Sequence, residues 1–488
     1  MNKRIVAGGV LLAAVGAIWT GTAWYTGKEI EARLAQDVQD AGAKVQRQAA
    51  KQGMPLTLEL LSFERGVFSS EARFGLKVIV HPDGKPTEKA FEFTSKIEHG
   101  PFPASRLASG DIMPVMAMSR AQIAQTPDAA AWFAAAGGSA PVTAQFVFAY
   151  DQDYSGGLTL APVRYADDQI TFEFSGLQAH GERTDGRTRG AASLNVDKMT
   201  LSEVIKGGAA TADRHTLTLD GLAVSHQSAG VGEAFAGHTT ITVKDWSTDM
   251  DKLPLGLKNI AMRLDSEGAA ERMTAKLTLD VDSIGVRGRH VAKLRMVAGG
   301  KDVDVPSLKA FQDFADGAPP SVAGGESILG DKMLAASHLL KFLLARPSFT
   351  LSPLQVETAN GTSSLSLDIG LDSPSFWNRD PVGIAKEVVR NLGIRLKLST
   401  DNVADLIAAR LELKGATPEA ARTAARQEAD ALRDLTTTLQ WGRIDNGVIQ
   451  VEADYRDGQL DFNGERMPVE AFVGRMLARR PPGAGVAP

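Results

Sequence analysis

The hydrophobic pattern of this chain changes character three times. It opens with an uncharged run from Ile5 to Tyr25, about the length that crosses a bilayer as a helix. Asn2, Lys3 and Arg4 come first, which predicts a cytoplasmic N-terminus and a body on the far side of the membrane after Lys28. Trp19, Trp24 and Tyr25 cluster at the far end of the run, where an aromatic belt would sit. Gly21-Thr22-Ala23 offers the small residues of a cleaved secretory signal, but the apolar run continues past them into Trp24 and Tyr25. A retained single-pass anchor over 1–27 is therefore the favoured reading. Within it Gly9, Ala13, Ala17 and Gly21 recur every four residues on one helix face, a candidate self-association face. The plainer account is that Gly and Ala are common in such helices.

The second pattern is a helical stripe. Ile30, Leu34, Val38, Ala41 and Val45 predict a juxtamembrane helix over 28–53 that packs on the body or on a second copy. The third is alternation, which begins at Leu56 and dominates a body predicted over 54–478. Phe74, Leu76 and Val78 alternate, as do Phe91 and Phe93, with a turn signal at Pro82-Asp83-Gly84 between them. A helical patch is expected from Ala104 to Ala136. Its last helix is capped by Thr126 and Pro127, ends at Gly137, and turns Trp132 and Phe133 to the core.

Between about 172 and 290 a motif repeats: two alternating apolar positions, a one-residue slip, then two more. Phe172, Phe174, Leu177 and Ala179 form one copy; Leu217, Leu219, Leu222 and Val224 another; Leu279, Val281, Ile284 and Val286 a third. Further copies lie at Leu194–Leu201, at Ile241–Thr248 and at Leu255–Met262. A β-bulge at each slip would keep one face apolar along a long strand and curl the sheet. Asp220-Gly221 and Asp282-Ser283 sit at two slips. The apolar face must then close on itself, receive helices or line a groove.

Pro306–Arg346 reads as an apolar helix, interrupted by Lys332, His338 and Lys341, that covers the sheet. Leu365, Leu367, Ile369 and Leu371 read as a strand, and helices are expected near Asp401–Leu413 and from the Thr417-Pro418 start to about Leu435, with Arg426 and Asp430 as a surface pair. Asn446-Gly447, Asp457-Gly458 and Asn463-Gly464 mark a terminal meander. A short helix from Met467 and a disordered tail over 479–488 follow. The predicted class is α+β, strand-dominated, with long bulged antiparallel strands in a curled sheet, packed helices and one N-terminal transmembrane helix.

Composition sharpens this in two ways. There is no cysteine, so an exported body is held by packing alone, without thiol chemistry. The net charge is −5 with both signs interspersed, and no basic stripe suggests nucleic acid.

Candidate chemistry is sparse. The eight histidines form no metal-ligand spacing and read as scattered surface residues. There is no Gly-x-Ser-x-Gly elbow and no phosphate-binding loop. Two loops stand out. Arg65-Gly66-Val67-Phe68-Ser69-Ser70 reads as a tight turn with Phe68 in the core, or as an anion contact through Arg65. His99-Gly100-Pro101-Phe102-Pro103 reads as a rigid turn ending a strand, and a catalytic His99 lacks a visible partner.

These two loops, the Trp19–Lys28 segment, Met113-Pro114, and near the end Tyr455, Gly458-Gln459, Asn463-Gly464, Met467 and Phe472-Val473 resemble the YdgA-like family of bacterial inner-membrane proteins of unknown function. The resemblance spans the whole chain. It implies a periplasmic body on an inner-membrane anchor, as a homodimer, and no defined activity. The expected function is a non-enzymatic envelope scaffold or binding module, in one form for acyl chains or another apolar ligand, with no cofactor. The rival is an enzyme acting on an envelope lipid or polymer through distant residues.

Overall fold

The computed structural model describes residues 3–50, 55–80, 86–206, 212–231, 234–249, 254–269, 271–307, 309–310, 337–375 and 381–478; over 3–19 it describes the helical backbone only. The fold is α+β and strand-dominated, and the strand pairings of defined register among the described residues, such as Leu56–Arg65 with Ser69–Val80, Leu255–Ala269 with Arg272–Val286 and Val389–Ser399 with Val448–Arg456, are antiparallel. The chain divides into two compact units: Met1–Arg214 with Asp220–Gln227, and His215–Leu219 with Ser228–Pro488.

In the first unit, the expected anchor and juxtamembrane helix are one continuous helix, α1 (Lys3–Ala50). Among the described residues no helix is long and apolar enough to cross a membrane. Gly9, Ala13 and Ala17 have side chains outside the described residues, while Gly21 has open space around it. Further along α1, Ala23, Thr26 and Val38 are buried, and Ile30 and Leu34 pack on a cluster of Ala72, Ile97 and Ala117. Ile30 and Leu34 of the stripe thus pack on the body; the side chains of Ala41 and Val45 lie outside the described residues.

The strands beneath α1 are β1 (Leu56–Arg65), β2 (Ser69–Val80), β3 (Thr87–His99) and β4 (Ala117–Ile123), paired in that order. The expected helical patch is therefore interrupted. Helices α2 (Ala104–Ala108) and α3 (Ala130–Ala135) flank β4, whose Ala, Met and Gln side chains favour a helix locally; pairing with β3 overrides that preference. The predicted end of the last helix holds, with Gly137 left-handed at φ +68°, but the start does not: Thr126 Oγ1 accepts from the Ala129 amide in a preceding turn, and the helix begins at Ala130 after Ala129, with no side-chain cap. Phe133 is buried and Trp132 meets Phe91 edge-on. The Pro82-Asp83-Gly84 turn lies outside the described residues.

The sheet continues through β5 (Val142–Phe148), β6 (Tyr154–Leu160), β7 (Val163–Ala166), β8 (Ile170–Phe174), β9 (Leu177–Thr184) and β10 (Arg189–Lys206). β9 and β8 lie end to end against the two halves of β10, broken at Gly176 (φ +99°). The Phe174–Leu177 slip is this break. β11 (Ala212–Val231) carries its own slip at Gly221, φ +62°.

The second unit contains β12 (Ala234–Thr248), β13 (Leu255–Ala269), β14 (Arg272–Val286), β15 (Arg289–Asp304), β16 (Ser348–Thr358), β17 (Gly361–Leu371) and, after helix α4 (Pro381–Val388), β18 (Val389–Ser399). Each strand pairs with the next. Across β12–β14 the slips align: Val243, Ile260 and Val281 share one level, and Trp246, Leu257 and Ile284 the next. Two mechanisms make the slip. In β14 an extra residue opposes β15 between Val281 and Ile284, a bulge at Asp282-Ser283. In β13 the pairing with both neighbours stays in step, and left-handed Asn259 (φ +50°) turns the strand over instead. Bulges alone therefore do not account for the repeat.

Helices α5 (Thr400–Leu413) and α6 (Pro418–Leu439) pack through Ala408, Ala421 and Ala425. α6 runs one turn beyond Leu435, and Asp430 pairs with Arg433 rather than Arg426, 3.0 Å. The end is β19 (Arg443–Asp445), β20 (Val448–Arg456), β21 (Gln459–Phe462), β22 (Glu465–Pro468) and α7 (Val469–Ala478). All three Asn/Asp-Gly turns have both residues at positive φ, the primed geometry that matches strand twist. Of Pro306–Arg346, residues 306–307, 309–310 and 337–344 are helical, with Leu343 buried and Phe342 stacked on Phe349; Ile328, Leu329, Met333 and Leu334 lie outside the described residues, as does 479–488.

Candidate functional site: the histidine that receives helix α1

Three stretches far apart in sequence meet in the first unit. β3 ends at His99, whose side chain is 1% exposed. Its Nε2 lies 2.8 Å from Ser70 Oγ on β2, and its Nδ1 3.1 Å from the Val67 carbonyl in the β1–β2 turn. A carbonyl can only accept, so Nδ1 carries the proton and Nε2 accepts from the Ser70 hydroxyl. The ring's open side is closed by Gly27 of α1: a Cβ there would lie 2.8 Å from Nδ1 and closer still to Cε1. Only glycine lets the helix backbone rest on the imidazole.

Burial pushes the His99 pKa below its ordinary value, helped by the Arg65 charge; the Val67 and Ala23 carbonyls oppose it. The imidazole is thus held neutral. Nearby, Tyr150 hydrogen-bonds the buried Thr26 of α1, and burial raises its pKa.

The loops around the ring are correspondingly tight. The Gly66 amide donates to Ser69 O (2.8 Å) and the His99 amide to Phe68 O (2.8 Å). The Gly100 amide donates to Met116 O (2.7 Å), and a Cβ on Gly100 would strike that oxygen. Val115 donates back to Pro101 O, 2.9 Å. Phe102 is half-buried. Arg65 is engaged with Glu31 of α1 (2.8 Å), and its guanidinium lies 5.5 Å over the Trp24 ring, which Lys28 also approaches at 5.8 Å.

The structure places a tight turn at Arg65–Ser70 and a turn ending β3 at His99–Pro103, and corrects two expectations. Phe68 is 48% exposed: it lies in the turn before β2 begins at Ser69, so the alternation that sends Ser70 and Ala72 inward does not extend to it. His99 is not a surface histidine, nor is it without a partner, since Ser70 faces it. Ser70, Gly27 and Tyr150 were missed as its neighbours, although Gly27 and Ser70 stand within the conspicuous segments themselves. The pair resembles a serine–histidine couple in which both residues are buried and Gly27 of α1 closes over the ring.

A second histidine constellation lies in the second unit. His238 Nδ1 is 2.6 Å from Asp265 Oδ1, directly across the β12–β13 ladder, and its Nε2 is 3.1 Å from Thr240 Oγ1. The hydrogen bond from His238 lowers the Asp265 pKa. Among the described residues no group of acidic and histidine side chains could hold a metal ion.

A helix seated on a strand-dominated body by motifs from both ends of the first unit defines a class rather than an activity. The chain belongs to a family of bacterial proteins of unknown function, DUF945, which it matches over residues 1–470. It is similar to protein YdgA of Escherichia coli K12, 25% identical over 494 residues, covering 97% of this chain and 96% of that protein. It is also similar to the uncharacterized protein YihF of the same organism, 24% identical over 492 residues, with 95% and 97% covered. An uncharacterized Haemophilus influenzae protein matches over 175 residues at 25% identity, 36% of this chain and 46% of that one. No solved structure matches.

Proposed function

We propose that this chain is a single-pass inner-membrane protein, N-terminus in the cytoplasm and body in the periplasm, that acts without catalysis as an envelope scaffold or binding module. The observation that carries the reading is the docked face of α1. Ala23, Thr26 and Gly27 are buried where the uncharged run ends, and Ile30 and Leu34 continue that contact along the sheet. A helix that leaves a bilayer and seats at once on a folded body holds that body at the membrane. Lys3-Arg4 before the run sets the orientation.

The binding form of the reading concerns the slip strands. Leu257, Ile260, Leu279 and Ile284 are only half-buried, while Val281 and Val286 are fully buried. A partly covered apolar face at that level suits an acyl chain or a similar ligand. Lipid extracted from the purified full chain and identified by mass spectrometry tests this. A co-purifying lipid lost on Leu279→Asp, with folding retained by circular dichroism, supports binding; a lipid-free protein leaves the scaffold reading. Topology is tested by a periplasm-active reporter fused after Pro488, which should be active, and by carbonate extraction, which should leave the chain in the membrane. A mature chain beginning at Trp24 would refute the anchor.

A further inference from the structure

We propose that one edge of the first unit's sheet is a membrane-surface contact, in which the β1–β2 turn and the β3–β4 loop set apolar side chains into the interfacial region of the bilayer beside α1. This rests on the anchor reading above.

Topology comes first. β1 runs antiparallel to α1: Leu58 lies beside Gly42, whereas Arg65 reaches Glu31 and Trp24. The β1–β2 turn therefore falls at the level of Ala23–Gly27. β3 ends at the same level, because His99 meets Gly27, so the loop of residues 100–116 projects from that edge. It is clamped at its base by the Gly100–Met116 and Val115–Pro101 bonds. Both connections thus point toward the N-terminal part of α1, where the uncharged run lies.

Composition comes second. In an edge that should be polar, Ile112 is 72% exposed and Met113 68%, joined by Leu107 and, in the other turn, Val67 and Phe68. Exposed apolar groups concentrated at one place mark a contact surface. Trp24 lies between the Lys28 and Arg65 cations, the amphipathic grouping favoured at the headgroup level. Further along the same edge the character changes. The β5–β6 and β9–β10 turns carry Asp151, Asp153, Asp185 and Arg187. Ile112, Met113, Leu107, Val67 and Phe68 all lie in the two connections beside α1, and the β5–β6 turn adds, among its aspartates, Tyr150, 52% exposed and hydrogen-bonded to Thr26 of α1.

The chain has no cysteine, so single labels are clean. The full chain carrying Met113→Cys, Val67→Cys or Ser139→Cys, the last on the opposite edge of the sheet, would be labelled with an environment-sensitive fluorophore. It would be reconstituted in phosphatidylethanolamine–phosphatidylglycerol vesicles with and without headgroup-level nitroxide lipid. Labels at 113 and 67 should emit to the blue and lose most of their intensity to the nitroxide, while the label at 139 should be unaffected. A chain that floats with the vesicles but shows no lipid quenching at 113 and 67 overturns the proposal and leaves the anchor intact. Failure to float overturns both. Copy-to-copy crosslinking at position 113 without lipid quenching would give the patch to a second chain and also overturn the proposal.

Discussion

Gly27 provides a test in which the sign of the effect changes. Replacing glycine by alanine inside a helix ordinarily stabilises it by about 1 kcal/mol. Here the added methyl would meet the His99 ring 2.8 Å from Nδ1. The ring has little freedom to retreat, because it is buried and held at both nitrogens by Ser70 and the Val67 carbonyl. Overpacking of this kind costs about 1–3 kcal/mol. Gly27→Ala should therefore be neutral to destabilising by about 2 kcal/mol in the native chain. In a His99→Ala background the obstruction is gone, and the same change should stabilise by about 1 kcal/mol. His99→Ala alone should cost about 2–4 kcal/mol, from the lost packing and the unpaired Ser70 hydroxyl. The assay is thermal and denaturant unfolding of the detergent-solubilised full chain, together with the rate of proteolysis between α1 and β1. Stabilisation by Gly27→Ala of equal size in both backgrounds would refute the idea that α1 seats on the imidazole.

Other outcomes follow from the same structure. Because burial lowers the His99 pKa from 6.5, the folded state binds fewer protons than the unfolded one, so this group's contribution is complete above about pH 6.5 and is lost as pH falls below it; a stability–pH profile should show the loss in the native chain and a smaller one in His99→Gln. Asn259→Gly should be tolerated and Asn259→Val should destabilise by about 1–2 kcal/mol, since φ +50° is hostile to a β-branched residue; equal melting temperatures would exclude a left-handed slip. Asn402, fully buried, donates to Val356 O, Thr358 Oγ1 and Gly361 O, so Asn402→Ala should cost about 1–3 kcal/mol in chemical denaturation. Ala13→Ile with Ala17→Ile should reduce crosslinking of the full chain in membranes if the small-residue face pairs two copies; unchanged crosslinking would move the interface elsewhere.

What could be read from sequence follows the range of the interaction. Local turn chemistry was legible: the three Asn/Asp-Gly turns, the Thr417-Pro418 helix start and the Gly137 helix end lie where their residue types require. The stripe of α1 was legible as a stripe, and its partner sheet was the commoner of two expectations. β4 was not, because Ala117–Ile123 is built from residues that favour a helix, and pairing with β3 on one side and β5 on the other decides otherwise. The slips were visible as a change of phase, but phase alone does not separate a bulge in β14 from a left-handed residue in β13. At the candidate site, His99, Arg65 and their glycines stood out, while their meeting did not. Ser70 and His99 are 29 positions apart, and Gly27 reaches them from another element. Phe68 was misplaced because an aromatic beside a turn carries no local sign of which side of the sheet it will take.

The continuity of α1 also has a mechanical meaning. A flexible linker would let the body wander, its reach growing only as the square root of length. A helix advances about 1.5 Å per residue, so the stretch from Gly27 to Ala50 is a strut of roughly 35 Å. With its lower end fastened at His99 and its shaft laid along β1, tilting the strut would tilt the β1–β4 sheet with it. The height and bearing of that sheet above its point of attachment are then set by helix geometry rather than by diffusion.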